Sequence, residues 1–196
     1  MTTMVFNGLA VLLSYVLGSI PTGLWLGRAF KGIDIREHGS KNIGATNTMR
    51  VLGKPLGAAA LVADIAKGAI PVLAAAQLSH LLYLPLICGV AAILGHSFSL
   101  FLGFKGGKGV ATSTGVFLAL LPIPTLIAAA VFGVVLAATR MVSASSISAA
   151  IALSIAAFFF TTLPVLLGVV WLMALLVIFK HRDNIRRILK GEENRI

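Results

Sequence analysis

The sequence predicts an all-α integral membrane protein, a bundle of seven transmembrane helices. Three observations carry that prediction. The 196-residue chain is 58% hydrophobic and only 11% charged, more apolar surface than a soluble globule of this length can hide. Several uncharged runs approach the roughly 20 residues a helix needs to cross the hydrocarbon core. These runs are rich in Ala, Leu and Gly and lack the apolar–polar alternation of a membrane β-strand, so helices are expected rather than a barrel.

Seven apolar segments follow in order, at 4–27, 56–78, 84–102, 109–121, 124–139, 145–162 and 164–180. The first has no basic stretch ahead of it and no A-x-A-like cleavage site, so it reads as a retained span and not a leader. The second carries Asp64 and Lys67, three apart and so on one helix face. An intramembrane charge costs about 2.5–3.5 kcal/mol, which gives the pair a structural or site-shaping purpose. The third holds the single cysteine, Cys88, a small hydrophobe with no disulfide partner in the chain. The fourth is the shortest, and a shallow hairpin of the fourth and fifth, leaving five spans, is the alternative. Pro122-Ile123-Pro124, Arg140–Ala144 and Thr161–Pro164 separate the later segments. No repeat divides the chain, so residues 1–196 are expected to form one domain.

The net charge is +10, and its distribution orients the bundle. Arg28, Lys31, Arg36, Lys41, Arg50 and Lys54 fall in the first connection, Lys105 and Lys108 in the third, and Arg140 in the fifth. Lys180, Arg182, Arg186, Arg187, Lys190 and Arg195 lie at the end of the last segment and in the tail. Seven crossings place all four regions on one side. By the positive-inside rule that side is cytoplasmic, with the N-terminus outside and the C-terminus inside. The cations flank spans, and the aromatics lie within them. Anionic lipid is therefore the expected partner, and nucleic acid is not.

Four polar stretches gather on the predicted cytoplasmic side. In "EHGSKNIGATNTMR", residues 37–50, Ser40, Asn42, Thr46 and Asn47 offer hydrogen bonds and Arg50 a fork for phosphate. In "GHSFSLFLGFKGGKGVAT", Gly103, Gly106, Gly107 and Gly109 surround Lys105 and Lys108 just before a predicted helix, an arrangement that binds anions. It is not a Walker A loop, whose spacing and preceding strand are missing. "RMVSASSISA" sets Ser143, Ser145 and Ser146 at the start of the sixth span, where serine also serves as a helix cap. "FKHRDNIRRILK" places His181 and Asn184 on one helix face, beside Arg182, Arg186 and Arg187. No His/Cys/Asp cluster has metal spacing, and no carboxylate pair or reactive cysteine suggests itself. The residues point to a cytoplasmic-face site for a phosphorylated ligand, next to lipid. The alternative is a transporter of an anionic solute, because interrupted spans such as "LGSIPTG" also mark transporters. A transporter is expected to hold its polar groups near the bilayer midplane.

Three blocks, "GSKNIGATNTMR", "FKGGKGVAT" and "HRDNIRRI", resemble in order and separation those of the bacterial PlsY-type acyl-phosphate:glycerol-3-phosphate acyltransferases, over essentially the whole chain. The resemblance implies transfer of an acyl group from acyl phosphate to the 1-hydroxyl of glycerol 3-phosphate. The products are lysophosphatidic acid and phosphate, in the first acylation of phospholipid synthesis. It implies a bacterial inner-membrane location, no metal and no cofactor, and a functional link to the enzyme that makes acyl phosphate. Ser40, Arg50 and Lys108 are then expected to bind phosphate, supported by Asn42, Thr46, Asn47, Lys105, Gly106 and Gly107. Ser146, His181 and Asn184 are expected to line the reacting centre. The chain departs from the family pattern at Lys41, where glycine is expected, and at Ser99, where many relatives carry proline. An acyl phosphate is a mixed anhydride, already activated. The site must neutralise two phosphates, align hydroxyl with carbonyl and stabilise the oxyanion. Either His181 or a substrate phosphate can take the proton.

The topology has a direct test. With single cysteines at Ser79, Thr162 and Asn194, an impermeant thiol reagent on intact cells should label the first two and spare the third. Labelling of Asn194→Cys alone would overturn the orientation.

Overall fold

The computed structural model describes residues 2–196, and side chains from residue 4 onward. Its regular elements are all helical among the described residues. The chain forms two compact units, Met1–Leu120 and Leu121–Ile196. The first holds α1 (Thr2–Ser19), α2 (Thr22–Lys31), α3 (Ala45–Leu52), α4 (Lys54–Leu78), α5 (Leu84–Ser97) and α6 (Val110–Leu120). The second holds α7 (Pro122–Thr139), α8 (Val142–Phe160), α9 (Pro164–Lys180) and α10 (Arg182–Leu189).

Lipid dictates how these helices are packed. Large side chains such as Val62, Leu73, Val134, Phe159 and Leu175 face outward, while Ala60, Ala92, Ala157, Ser97 and Ser154 are buried. Tails as apolar as leucine give no drive to hide leucine, so small residues that let backbones approach make the contacts. Gly68 of α4 lies against the Thr112 carbonyl, and Gly115 of α6 lies against that of Ile65. Gly18 and Gly95 join α1 to α5 in the same way, against the carbonyls of Ala92 and Tyr15.

The first apolar segment is not one helix. It breaks at Ile20-Pro21 and bends by 46° into α2. Pro21 has no N–H to give and disfavours helix in the residue before it. The break leaves carbonyls to be satisfied inside the unit. Lys67 Nζ donates to the Ile20 carbonyl at 2.7 Å, and Ser99 Oγ donates to that of Ser19. Lys67 also pairs with Asp64 at 2.8 Å, and Thr22 Oγ1 donates to the same carboxylate at 3.0 Å. The intramembrane pair is thus structural, because it closes a broken helix. Ser99 has a φ of −65°, which a proline could also adopt, and its hydroxyl adds the hydrogen bond to Ser19.

Four helical stretches are each long and apolar enough to cross a membrane, and six are if the bent pairs α1–α2 and α9–α10 each count as one. The protein is therefore multi-pass. α6, with 11 residues, rises only about 16 Å. The reason lies in where it starts. His96, in the last turn of α5, is 4.0 Å from Asp64, which lies ten residues beyond the start of α4, a rise of about 15 Å. The glycine–lysine loop between α5 and α6 accordingly sits beside the middle of α4, deeper than a loop at the helix end.

Two other boundaries differ from the sequence reading. The first connection is not a loop throughout: it contains a 3₁₀ turn, Ile35–Glu37, and all of α3. α8 begins at Val142 with Met141 as its cap, so its serines occupy the first two turns and are not caps. In the second unit α7 packs on α8, and α8 on α9. Pro122 and Pro164 open α7 and α9, where their missing N–H costs nothing.

Glycine positions give the packing a test with an internal control. Gly68→Ala and Gly115→Ala drive a methyl group into backbone and should each cost about 1–3 kcal/mol. Gly133 and Gly168 have nothing within 4 Å of a built Cβ, so alanine there should be neutral or gain up to about 1 kcal/mol of helix propensity. Thermal unfolding in detergent should separate the two pairs.

Candidate active site

The first loop is organised around Asn47, which is 1% exposed. Its amide nitrogen donates to the carbonyls of Ile35, His38 and Asn42 at 2.9, 3.2 and 2.8 Å, and its oxygen accepts from the Ser40 N–H at 2.7 Å. The sequence reading places Asn47 among the ligand contacts. The structure instead spends this side chain on the loop, because one buried amide can satisfy several turns of backbone at once. Asn42 accepts from the Gly44 N–H at 3.0 Å, an Asx turn that leads into α3. Thr46 and Arg50 lie one turn apart on α3. Ser40 and Arg50 are exposed and Thr46 is half-buried. Lys41 has φ 57°, the left-handed region, so the loop keeps the conformation a glycine would take at a cost of about 1–2 kcal/mol. Asp34 clamps the entry to this loop. The Arg36 guanidinium donates to it at 2.6 Å and Arg28 at 3.1 Å. The Arg36 hydrogen bond, foremost, holds the Asp34 carboxyl well below the usual carboxylate range.

In the second loop Gly107 donates its N–H to the His96 carbonyl at 3.0 Å, and Gly106 to that of Ser97 at 3.2 Å. The sequence reading aims these amides at a ligand; the structure uses them to cap α5, because the last carbonyls of a helix have no partner of their own. The donors that remain are those of the first turn of α6, which follows Gly109 with φ 80°. Thr112 and Ser113 lie in that turn, buried, with hydroxyl oxygens lacking a hydrogen-bond partner. Lys105 is exposed and Lys108 half-buried.

In the second unit His181 is buried, with Nδ1 at 2.8 Å from the Val177 carbonyl. A carbonyl only accepts, so Nδ1 carries the proton, and Nε2 of the neutral ring is an acceptor. Asn184 donates through Nδ2 to Glu193 at 2.6 Å. Ser143 donates to the same oxygen at 2.8 Å, and Arg187 Nε binds the other at 2.8 Å. Ser146 donates to the Val142 carbonyl at 2.8 Å. The structure thus unites the tail, the start of α8 and α10 through Glu193. The sequence reading does not include that residue; its one signal is an acid in a tail of arginines and lysines. Burial pushes the Glu193 carboxyl up, but hydrogen bonds from Asn184, Ser143 and Arg187, with the charge of Arg187, more than offset this and leave it below its ordinary value.

A depressed carboxyl stabilises the fold above its unfolded pKa, near roughly 4.3, and the contribution is lost as pH falls through the lower folded value. Raising the pH from 3 to 6 should therefore raise the unfolding temperature of the wild type more than that of Glu193→Gln. Equal gains would remove the carboxylate from this role.

The family described as glycerol-3-phosphate acyltransferase matches residues 8–191. A glycerol-3-phosphate acyltransferase of Fusobacterium nucleatum is 49% identical over 185 residues, covering 94% of this chain and 95% of the relative. One from Geobacter metallireducens is 52% identical over 182 residues, 93% of each. Among solved structures, the integral membrane glycerol 3-phosphate acyltransferase PlsY in its glycerol 3-phosphate form superposes with a TM-score of 0.91 at 37% identity, covering 97% of this chain and 95% of that one. Its lysophosphatidic acid form gives 0.89. The depth of the glycine–lysine loop is what a transporter would also show, yet nothing in these similarities supports transport. With a family pattern that runs across both units and relatives matched almost end to end, the chain belongs to the glycerol-3-phosphate acyltransferase family.

Proposed function

We propose that this membrane protein acylates glycerol 3-phosphate, giving lysophosphatidic acid, with acyl phosphate as the donor and inorganic phosphate as the second product. The observation that carries the reading is the solved relative, which at 37% identity over 97% of this chain occurs in a glycerol 3-phosphate form and in a lysophosphatidic acid form. The chemistry of the residues fits. Arg50 and Lys108 supply charge for phosphate, with Ser40, Asn42, Thr46 and Lys105 around them. Asn47, Gly106 and Gly107 give the two loops their shape. The Nε2 acceptor of His181 suits the hydroxyl of glycerol 3-phosphate, and Asn184 and Ser146 orient the reacting groups. The anhydride needs no enzyme nucleophile, so alignment and electrostatics supply the acceleration.

The chain acts as one domain of seven crossings in a bacterial inner membrane, with its N-terminus outside and its site open to the cytoplasm. That orientation puts the basic regions inside and lets an acyl chain enter from the bilayer, since drawing it into water costs about 0.8 kcal/mol per CH₂. The enzyme that makes acyl phosphate is the expected functional partner.

Purified protein given acyl phosphate and glycerol 3-phosphate should form lysophosphatidic acid, and acyl-CoA should not replace the donor. Arg50→Ala and Lys108→Ala should each lower the rate by about 10²–10³. Arg50→Lys should restore little, because an ammonium lacks the bidentate fork. Comparable turnover with acyl-CoA would refute the donor; a normally inserted Lys108→Ala protein at wild-type rate would refute the phosphate site.

A further inference from the structure

Behind the glycine–lysine loop lies a set of buried polar groups that phosphate binding does not use. Asp64, Lys67 and His96 are 2%, 4% and 4% exposed. Their contacts run in one line. Lys67 is anchored on the Ile20 carbonyl and paired with Asp64, which Thr22 also holds. Nδ1 of His96 stands 4.0 Å from the Asp64 carboxylate. At the opposite end of the ring, a Cβ built on Gly107 would run into Nε2 and the two carbons bonded to it. The imidazole therefore spans the gap between a fixed ion pair and the loop, with its tip against Gly107, the residue before Lys108.

We propose that His96, seated on the Asp64–Lys67 pair, is a positioning residue that sets the height of the Gly107–Lys108 segment and so the fit of Lys108 to the phosphate of glycerol 3-phosphate. The proposal rests on the reading of Lys108 as a phosphate ligand. Three features support it. The pair is tied to backbone at the α1–α2 break, so the seat cannot slide. The loop is hydrogen-bonded to the carbonyls of His96 and Ser97, so it follows α5. Gly107 has no side chain between its backbone and the ring, so a displacement of the ring passes directly to the loop. A displacement of about 1 Å at a preorganised group can cost on the order of 10²-fold.

The test is an exchange of volume read in KM for glycerol 3-phosphate. His96→Ala removes the strut, and Gly107→Ala pushes against it. Each should raise KM about tenfold or more, with kcat changed far less, since a misplaced ground-state contact weakens binding first. In the double variant the new methyl group occupies space the ring has left, so its KM should fall well below the product of the two single effects. Gly106→Ala serves as the control, because its Cβ meets the His96 carbonyl and not the ring. Combined with His96→Ala, its effects should multiply. Lys108→Ala, measured alongside, reports on the phosphate reading itself. If Lys108→Ala leaves both KM and kcat unchanged, that reading fails. If Lys108→Ala raises KM while His96→Ala does not, or if both double variants simply multiply, the positioning role is overturned. Should His96→Ala not fold, His96→Ser, which also vacates the space of the ring but keeps a small polar group, takes its place with the same expected outcomes.

Discussion

The first unit depends on one constraint: a helix broken at Ile20-Pro21 in a medium without water. The carbonyls of Ser19 and Ile20 that the break releases must find donors within the protein. Ser99 and Lys67 supply them. Lys67 cannot stand buried without a counter-charge, which brings in Asp64, and Asp64 in turn holds Thr22 at the head of α2. Such a pair is a poor source of net stability, because desolvation consumes most of its Coulomb gain. Its value lies in specificity, since this one arrangement fixes α1, α2, α4 and α5 at a single level.

The net positive charge conceals two populations of cations. Arg28 and Arg36 are engaged by Asp34, and Arg187 by Glu193. Arg50 and Lys105 are exposed. The few carboxylates thus act as local clamps that shape the loops, while other cations keep the surface strongly basic.

Much of this was legible in the sequence because lipid leaves few choices. Runs of apolar residues had to be helices, and the pairing of Asp64 with Lys67 follows from a three-residue spacing. The break at Pro21 was present in "LGSIPTG", but a hydropathy reading averages through a single proline. The short fourth segment was visible as short; its cause was not, because it depends on His96 lying beside Asp64, a contact across two helices. Likewise the glycines and amides of the polar stretches could be recognised as loop formers. Which of them face a ligand and which serve the loop, as Asn47 and Gly107 do, is a matter of orientation that residue type does not encode.

The clamp at Glu193 also bears on when the second unit is finished. Its partner Asn184 lies nine residues earlier, and Ser143 fifty residues earlier, so both wait on a carboxylate synthesised after α7, α8 and α9 are complete. A chain ended before Glu193 would have every apolar helix and yet lack the carboxylate to which Asn184 and Ser143 both donate. Closing this corner is therefore separable from forming the apolar helices, because its carboxylate lies beyond the end of α9.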